Sequence, residues 1–252
     1  MARQTEWPAL QARVSNRLSR YFCTTPFKLR NPRAMVSFTF DDFPDSAADV
    51  GVPILDRHDA KATFYVAGSQ VGKWSDHWQG VAADKIVELH RRGHEIACHT
   101  FSHVRATDLD ATRLAAEIDD NRRYLLGLDP SIRIDNFAYP YGLGSVWRKP
   151  QLAKTFRSSR SIIPGINSGV VDLQYLRSTP LINHHIDEED IDRVFDALVD
   201  SNGWLIFYGH DVASEPSPYG CTPSLLRYAT EAATKRNVAI MTVAGALRAA
   251  GA

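Results

Sequence analysis

A chain of 252 residues is long enough for one large domain or two small ones, and its 44% apolar and 23% charged content is ordinary for a soluble globular protein. The formal net charge is zero, which gives no electrostatic argument for a nucleic-acid partner. Cys23, Cys98 and Cys221 are too few and too scattered for a disulfide framework or a CxxC metal site, and no run of about 18 apolar residues offers a membrane span. The opening stretch, Met1 to Pro8, is polar and lacks the apolar core of a secretory signal, so the expectation is a cytoplasmic protein. Leu10, Val14, Leu18 and Phe22 recur every four residues and predict a short amphipathic helix over 9–22. With a linker over 24–33, marked by Pro26 and Pro32, it makes an N-terminal extension of residues 1–33 ahead of a main domain over 34–252.

The main domain reads as strands alternating with helices. A strand is predicted over 34–40, a polar loop over 41–49, a helix over 50–58 and a strand over 61–67. The stretch 68–80 carries Gly68, Gly72, Trp74, Trp78 and Gly80 and reads as a functional loop. A helix over 81–92 stops at Gly93, in the usual C-cap place, and a strand follows over 94–98. Helix 111–126, strand 134–138, helix 147–156, strand 158–163, an irregular stretch over 164–173 and a strand over 174–181 continue the alternation. Helix 187–199 has acidic residues in its first turn, as the helix dipole favours. The apolar strand 203–208, a loop over 212–223, helix 223–236, strand 238–242 and helix 243–250 complete the chain. This order predicts an α/β architecture with a parallel sheet.

Chemistry-bearing residues fall just after strands: Asp41 and Asp42, His99 and His103, the run Tyr139-Pro140-Tyr141-Gly142, and His210. In barrel-like α/β folds the C-terminal rim is where sites are built, and core patterning alone does not demand this coincidence. His99 and His103 are four residues apart, the spacing that puts two imidazoles on one face of a helical turn and lets them share a divalent metal. Asp42 is the best third ligand. Taken singly, each residue has a plainer reading: a hydrogen-bonded histidine, an N-capping aspartate, a turn. Other pairs are weaker. Gly93 breaks the helix between His90 and His94, adjacent His184 and His185 point to opposite sides of a strand, and strand alternation turns Cys98 into the core. Trp74 and Trp78 suit loop packing as well as a sugar platform.

Four stretches, in order, resemble the motifs of the polysaccharide deacetylases, the family-four carbohydrate esterases: Thr39-Phe40-Asp41-Asp42, His99-Thr100-Phe101-Ser102-His103, Tyr139-Pro140-Tyr141-Gly142, and Leu205-Ile206-Phe207-Tyr208-Gly209-His210. The resemblance covers roughly 34–245 and implies a distorted (β/α) barrel with about seven strands. It implies that Asp42, His99 and His103 hold a divalent metal, usually zinc. Asp41 would be the general base, the backbone N–H of Tyr141 an oxyanion donor and His210 the general acid. The implied activity is hydrolytic removal of acetyl groups from N- or O-acetylated oligo- or polysaccharides. Such chemistry needs an activated water, a stabilised oxyanion and a proton for the departing amine, and these groups can supply all three. Two positions depart from the pattern. Where many members carry an arginine that orients the base, this chain has Ala138, and Arg160 in the next strand is similar to the replacement found in some relatives. The fourth motif, an Asp with a nearby Trp, has only Asp172 in its region. Two further readings are a same-fold hydrolase that opens small non-sugar amides such as cyclic ureides, and a non-catalytic saccharide-binding protein. The complete metal triad disfavours the first; the presence of both Asp41 and His210 disfavours the second.

Overall fold

The computed structural model describes residues 6–252, with side chains from Arg13 onward. The polar first residues and the Leu10 side chain lie outside that description. Ten strands are described: β1 (Pro26–Lys28), β2 (Met35–Asp41), β3 (Thr63–Val66), β4 (Glu95–Cys98), β5 (Asn136–Ala138), β6 (Ser158–Arg160), β7 (Val170–Asp172), β8 (Thr179–Pro180), β9 (Trp204–Gly209) and β10 (Ala239–Ile240). The α-helices are α1 (Glu6–Ser19), α2 (Val52–Asp56), α3 (Ala83–Arg91), α4 (Ala111–Leu128), α5 (Lys149–Leu152), α6 (Glu188–Asp200), α7 (Pro223–Lys235) and α8 (Val243–Ala249).

Seven strands form one parallel sheet in the order β6-β5-β4-β3-β2-β9-β8, with β10 added beside the start of β2. This sheet curls into a half-barrel, in keeping with the distorted barrel of about seven strands that the resemblance implies. Its curvature has a direct signature. Arg160 ends β6 and Asp41 ends β2, four strands away, yet the two side chains are ion-paired. On a flat sheet those strands would stand about 19 Å apart, far beyond the reach of an arginine. Strand alternation sorts the residues of β2. Val36, Phe38 and Phe40 join the large core beneath the helices. Ser37, Thr39 and Asp41 point into the barrel, where Ser37 Oγ accepts from Trp204 Nε1 (3.0 Å) and Thr39 Oγ1 donates to the Phe207 carbonyl (2.8 Å). The N-terminal end of the barrel is closed by Glu95. Its carboxylate accepts from Thr63 Oγ1 (2.9 Å), Asn136 Nδ2 (2.6 Å) and the Ala244 N–H at the start of α8 (2.8 Å).

Several expectations change in detail. The stretch 24–33 is not all linker, because β1 pairs antiparallel with β7, inside a segment expected to be irregular. The helix expected over 147–156 shrinks to α5. The strand expected over 174–181 begins as a helical turn over 173–175, because Asp172 caps it through the Gln174 N–H (3.0 Å), and only β8 remains extended. No helix among the described residues is long and apolar enough to cross a membrane.

Candidate active site

The site is built at the C-terminal ends of β2, β4, β5, β6 and β9. After Asp41 the chain leaves β2 through two left-handed residues, Asp42 (φ 59°) and Phe43 (φ 54°). Such backbone costs about 1–2 kcal/mol per residue. Phe43, fully buried and stacked on Phe64 at 4.0 Å between ring centroids, holds the turn in place. Five of the eight described non-glycine residues with positive φ are Asp42, Phe43, Thr100, His103 and Tyr141, all in loops of this rim.

Asp42, His99 and His103 converge, with one ligand atom of each lying within 4.8 Å of the others. Asp42 Oδ1 is 3.2 Å from His103 Nε2 and 3.7 Å from His99 Nε2. His99 Nδ1 lies 2.9 Å from the Ala138 carbonyl, which fixes the proton on Nδ1 and leaves the Nε2 lone pair facing Asp42. Burial pushes the His99 imidazole down to about 3 and that of His103 to about 4, so both rings are neutral donors of electron pairs. Burial, with the adjacent Asp41 charge, pushes the Asp42 carboxyl up to about 7. Its Oδ1 is buried without a hydrogen-bond partner. Three converging ligand atoms, one of them a buried carboxylate oxygen without a hydrogen-bond partner, fit a divalent cation of the zinc type.

The two histidines do not sit on a helical turn, contrary to the reading of their spacing. Residues 99–103 form an irregular loop in which Thr100 (φ 59°) and His103 (φ 53°) are left-handed. Glu117 of α4 shapes that loop by accepting from the N–H groups of Phe101 (3.0 Å) and Ser102 (2.8 Å), and Thr100 Oγ1 accepts from Val104 N (3.2 Å). Glu117 carried no sequence signal for this role, since its partners are backbone groups in a distant loop.

Asp41 is buried, and Arg160 Nη2 donates to its Oδ1. Burial alone would raise the Asp41 carboxyl; the Arg160 guanidinium, through its charge and its hydrogen bond, outweighs it and holds the group below the usual carboxylate range. The Arg160 guanidinium lies over the rings of Tyr65 (5.0 Å) and Tyr208 (5.4 Å), and its Nη1 donates to the Ser161 carbonyl (3.2 Å). Arg160 is the register partner of Ala138. Ala97 and Ala138 are buried and packed with Tyr65, the ring over which the guanidinium lies.

Tyr141 (φ 57°, ψ 12°) lies in a tight turn closed by Gly142 N to Tyr139 O (2.8 Å) and Leu143 N to Pro140 O (3.3 Å), neither of which uses the Tyr141 N–H. Its half-exposed ring sits 4.5 Å from that of His103. His210 follows β9, beside β2. Its Nδ1 is 3.2 Å from the Tyr219 carbonyl, and its ring stacks on Trp78 at 5.2 Å. Burial lowers the His210 imidazole, partly offset by the Asp41 charge.

All seven residues singled out in the sequence therefore lie on this rim. Asp172 does not serve it: its carboxylate takes Lys149 Nζ and the N–H groups of Thr24 (3.0 Å) and Thr25 (3.1 Å). Cys98 is buried as expected and accepts from Asn121 Nδ2 (3.3 Å). His94 is a core histidine that accepts the Ala62 N–H at Nδ1 (3.1 Å), while His90 is bonded to Ser131 outside it.

A family profile described as "Polysaccharide deacetylase" matches residues 28–154. The chain belongs to the polysaccharide deacetylase family. A chitin deacetylase of Colletotrichum lindemuthianum is 26% identical over 195 residues, 75% of this chain and 69% of that protein. A bifunctional xylanase/deacetylase of Pseudobutyrivibrio xylanivorans is 28% identical over 85 residues, 34% of this chain and 13% of that protein. The solved structure of the chitin deacetylase from Colletotrichum lindemuthianum superposes with a TM-score of 0.66 at 18% identity, covering 88% of this chain and 91% of that one, which shows a shared fold. In this polysaccharide deacetylase the resemblance first legible in four short motifs thus extends through the barrel.

Proposed function

We propose that this polysaccharide deacetylase is a metal-dependent hydrolase that removes acetyl groups from N-acetylated saccharides. The observation that carries the reading is the meeting of an Asp, His, His cluster with a second aspartate that an arginine pairs and orients. Asp42, His99 and His103 would hold a divalent metal, with zinc best suited to two imidazoles and a carboxylate. When bound, the metal supplies Lewis-acid polarisation of the acetyl carbonyl and acidifies a water. Asp41 would accept a proton from the attacking water. Arg160 engages Oδ1 and keeps the carboxylate ionised, which leaves Oδ2 as the accepting atom. The Tyr141 N–H faces the oxygen on which charge develops. His210, when protonated, gives its Nε2 proton to the departing amine, because the Nδ1 proton stays bonded to the Tyr219 carbonyl. Amine expulsion needs that proton, so the acid matters more for amides than for activated esters.

The test is acetate release from N-acetylated oligosaccharides with metal-loaded, chelator-stripped and variant protein. Loss of activity on stripping and recovery with zinc is expected. Asp41→Asn should fold and bind metal, yet turn over about 10²–10⁴ more slowly. Unchanged metal content in each of Asp42→Ala, His99→Ala and His103→Ala would refute the ligand set.

A further inference from the structure

Among the rings around His210, one is carried by a segment that the chemistry above does not use. Residues 73–80 form a small hairpin. Trp74 pairs with Gln79, Ser75 N donates to the Trp78 carbonyl (2.9 Å), and Ser75 Oγ accepts from the N–H groups of His77 (3.2 Å) and Trp78 (3.0 Å). Gly80 N closes the hairpin onto the Lys73 carbonyl (2.7 Å), where the backbone runs so close that a side chain at Gly80 would strike the Gln70 carbonyl. The hairpin is then docked on the turn that carries Asp42: Gly80 pairs with Pro44, Asp45 N donates to the Gln79 carbonyl (2.9 Å) and Val81 N to the Phe43 carbonyl (3.0 Å).

At its tip, the Trp78 indole lies against the His210 ring at 5.2 Å and 28°, a stacked arrangement. The same indole meets the Tyr219 ring edge-on at 6.4 Å and 87°, and His77 meets Tyr219 at 5.2 Å and 67°. Tyr219 is the residue whose carbonyl binds His210 Nδ1. Trp78 therefore touches both the face of the imidazole and the ring of the residue that fixes its tautomer. Trp74, four residues earlier, is 79% exposed and touches neither, so the pair share spacing but not surroundings.

We propose that Trp78 is a positioning residue for His210, holding the imidazole so that Nε2 points at the leaving nitrogen. This rests on the reading of His210 as the general acid. The stacked indole blocks rotation of the imidazole plane, while the Tyr219 carbonyl holds the Nδ1 proton, so that the transferable proton of the imidazolium is the one on Nε2. An indole face also favours a cation over its neutral form, which assists the protonated ring. Misplacing a proton donor by a fraction of an ångström lowers turnover without weakening substrate binding.

The experiment compares wild type, Trp78→Ala, Trp78→Leu, Trp78→Phe and His210→Ala on two substrates, an N-acetylglucosamine oligosaccharide and an aryl acetate with a low-pKa leaving group. Metal content and Tm are measured for each. Trp78→Ala and Trp78→Leu should lower kcat on the saccharide by about 10–100-fold and on the aryl acetate by no more than about threefold, with the saccharide KM nearly unchanged. Leucine fills the space without an aromatic face, so it separates stacking from packing, and Trp78→Phe should restore most of the activity. A raised saccharide KM with kcat intact would overturn the proposal by making Trp78 a wall for the sugar ring. Equal losses on both substrates, or none, would overturn it as well. His210→Ala distinguishes this from failure of the acid reading. If that variant loses the amide activity selectively while Trp78→Ala does not, only the role of Trp78 falls. If His210→Ala shows no selectivity between the substrates, the acid reading falls and the proposal with it.

Discussion

At the scale of single residues, the ion pair of Asp41 with Arg160 is the most exacting feature of the site. Both side chains are buried, so neither charge can be left alone without a desolvation penalty. Arg160→Met should destabilise the fold by about 3–5 kcal/mol in urea unfolding, because it strands a buried carboxylate. The double variant Asp41→Asn, Arg160→Met should recover part of that loss while staying inactive. Additive losses would mean that the two groups do not interact. The pairing was half legible in the sequence: the family resemblance implied an arginine to orient the base, and with Ala138 in its usual place it pointed to Arg160 in the next strand. What the sequence did not hold was the curl of the sheet that brings the end of β6 across to the end of β2. The shape of the His99–His103 loop was likewise hidden, because left-handed residues stabilised by Glu117 leave no periodicity to read.

Among elements, α1 is tied to the barrel by buried polar contacts. Lys149 Nζ, fully buried, donates to the carbonyls of Ser19 (3.0 Å) and Phe22 (2.5 Å) at the C-terminal end of the helix and pairs with Asp172 (2.5 Å). Asn16 Oδ1 accepts from Gly144 N (3.0 Å) and from the Tyr175 hydroxyl (2.7 Å), and Ser15 Oγ from Val146 N (3.2 Å). These bonds link α1 to the loop that follows Tyr141. Lys149→Met should cost about 2–4 kcal/mol, since it leaves carbonyls and a carboxylate short of a donor. It should also speed tryptic cleavage after Arg20; unchanged cleavage and stability would refute the anchor. The amphipathic pattern announced a helix here, but nothing in it announced Lys149 as its partner, because a lysine in a short helix ordinarily faces water.

For the whole molecule, the dependence of stability on pH follows from groups that fold in their neutral form. His94 is buried with Nδ1 accepting the Ala62 N–H, and burial, aided by the Lys61 and Arg92 charges against that of Asp56, pushes its imidazole down to about 4. The unfolded chain takes up that proton near the ordinary histidine value of about 6.5, where the native state does not. The contribution is therefore complete above about 6.5 and is lost as the pH falls toward 4, on the order of 2–3 kcal/mol over the window. His94→Asn should flatten the fall in stability between those limits relative to wild type, measured by urea unfolding at several pH values. Parallel curves for the two proteins would remove His94 from the acid response.

By itself the sequence determined the alternation of strands and helices, the parallel sheet and the placing of Asp41, Asp42, His99, His103, Tyr141 and His210 at or just beyond strand ends, because hydrophobic period and the residues that follow it are local properties. Only the tertiary structure decided which of these meet. The curl of the sheet brings β6 across to β2, so Arg160 reaches Asp41 over a separation of 119 residues. The docking of one hairpin on the Asp42 turn puts Trp78 against His210. Contacts of that kind depend on how far a sheet bends and on where a hairpin docks, and neither has a period that a sequence can display.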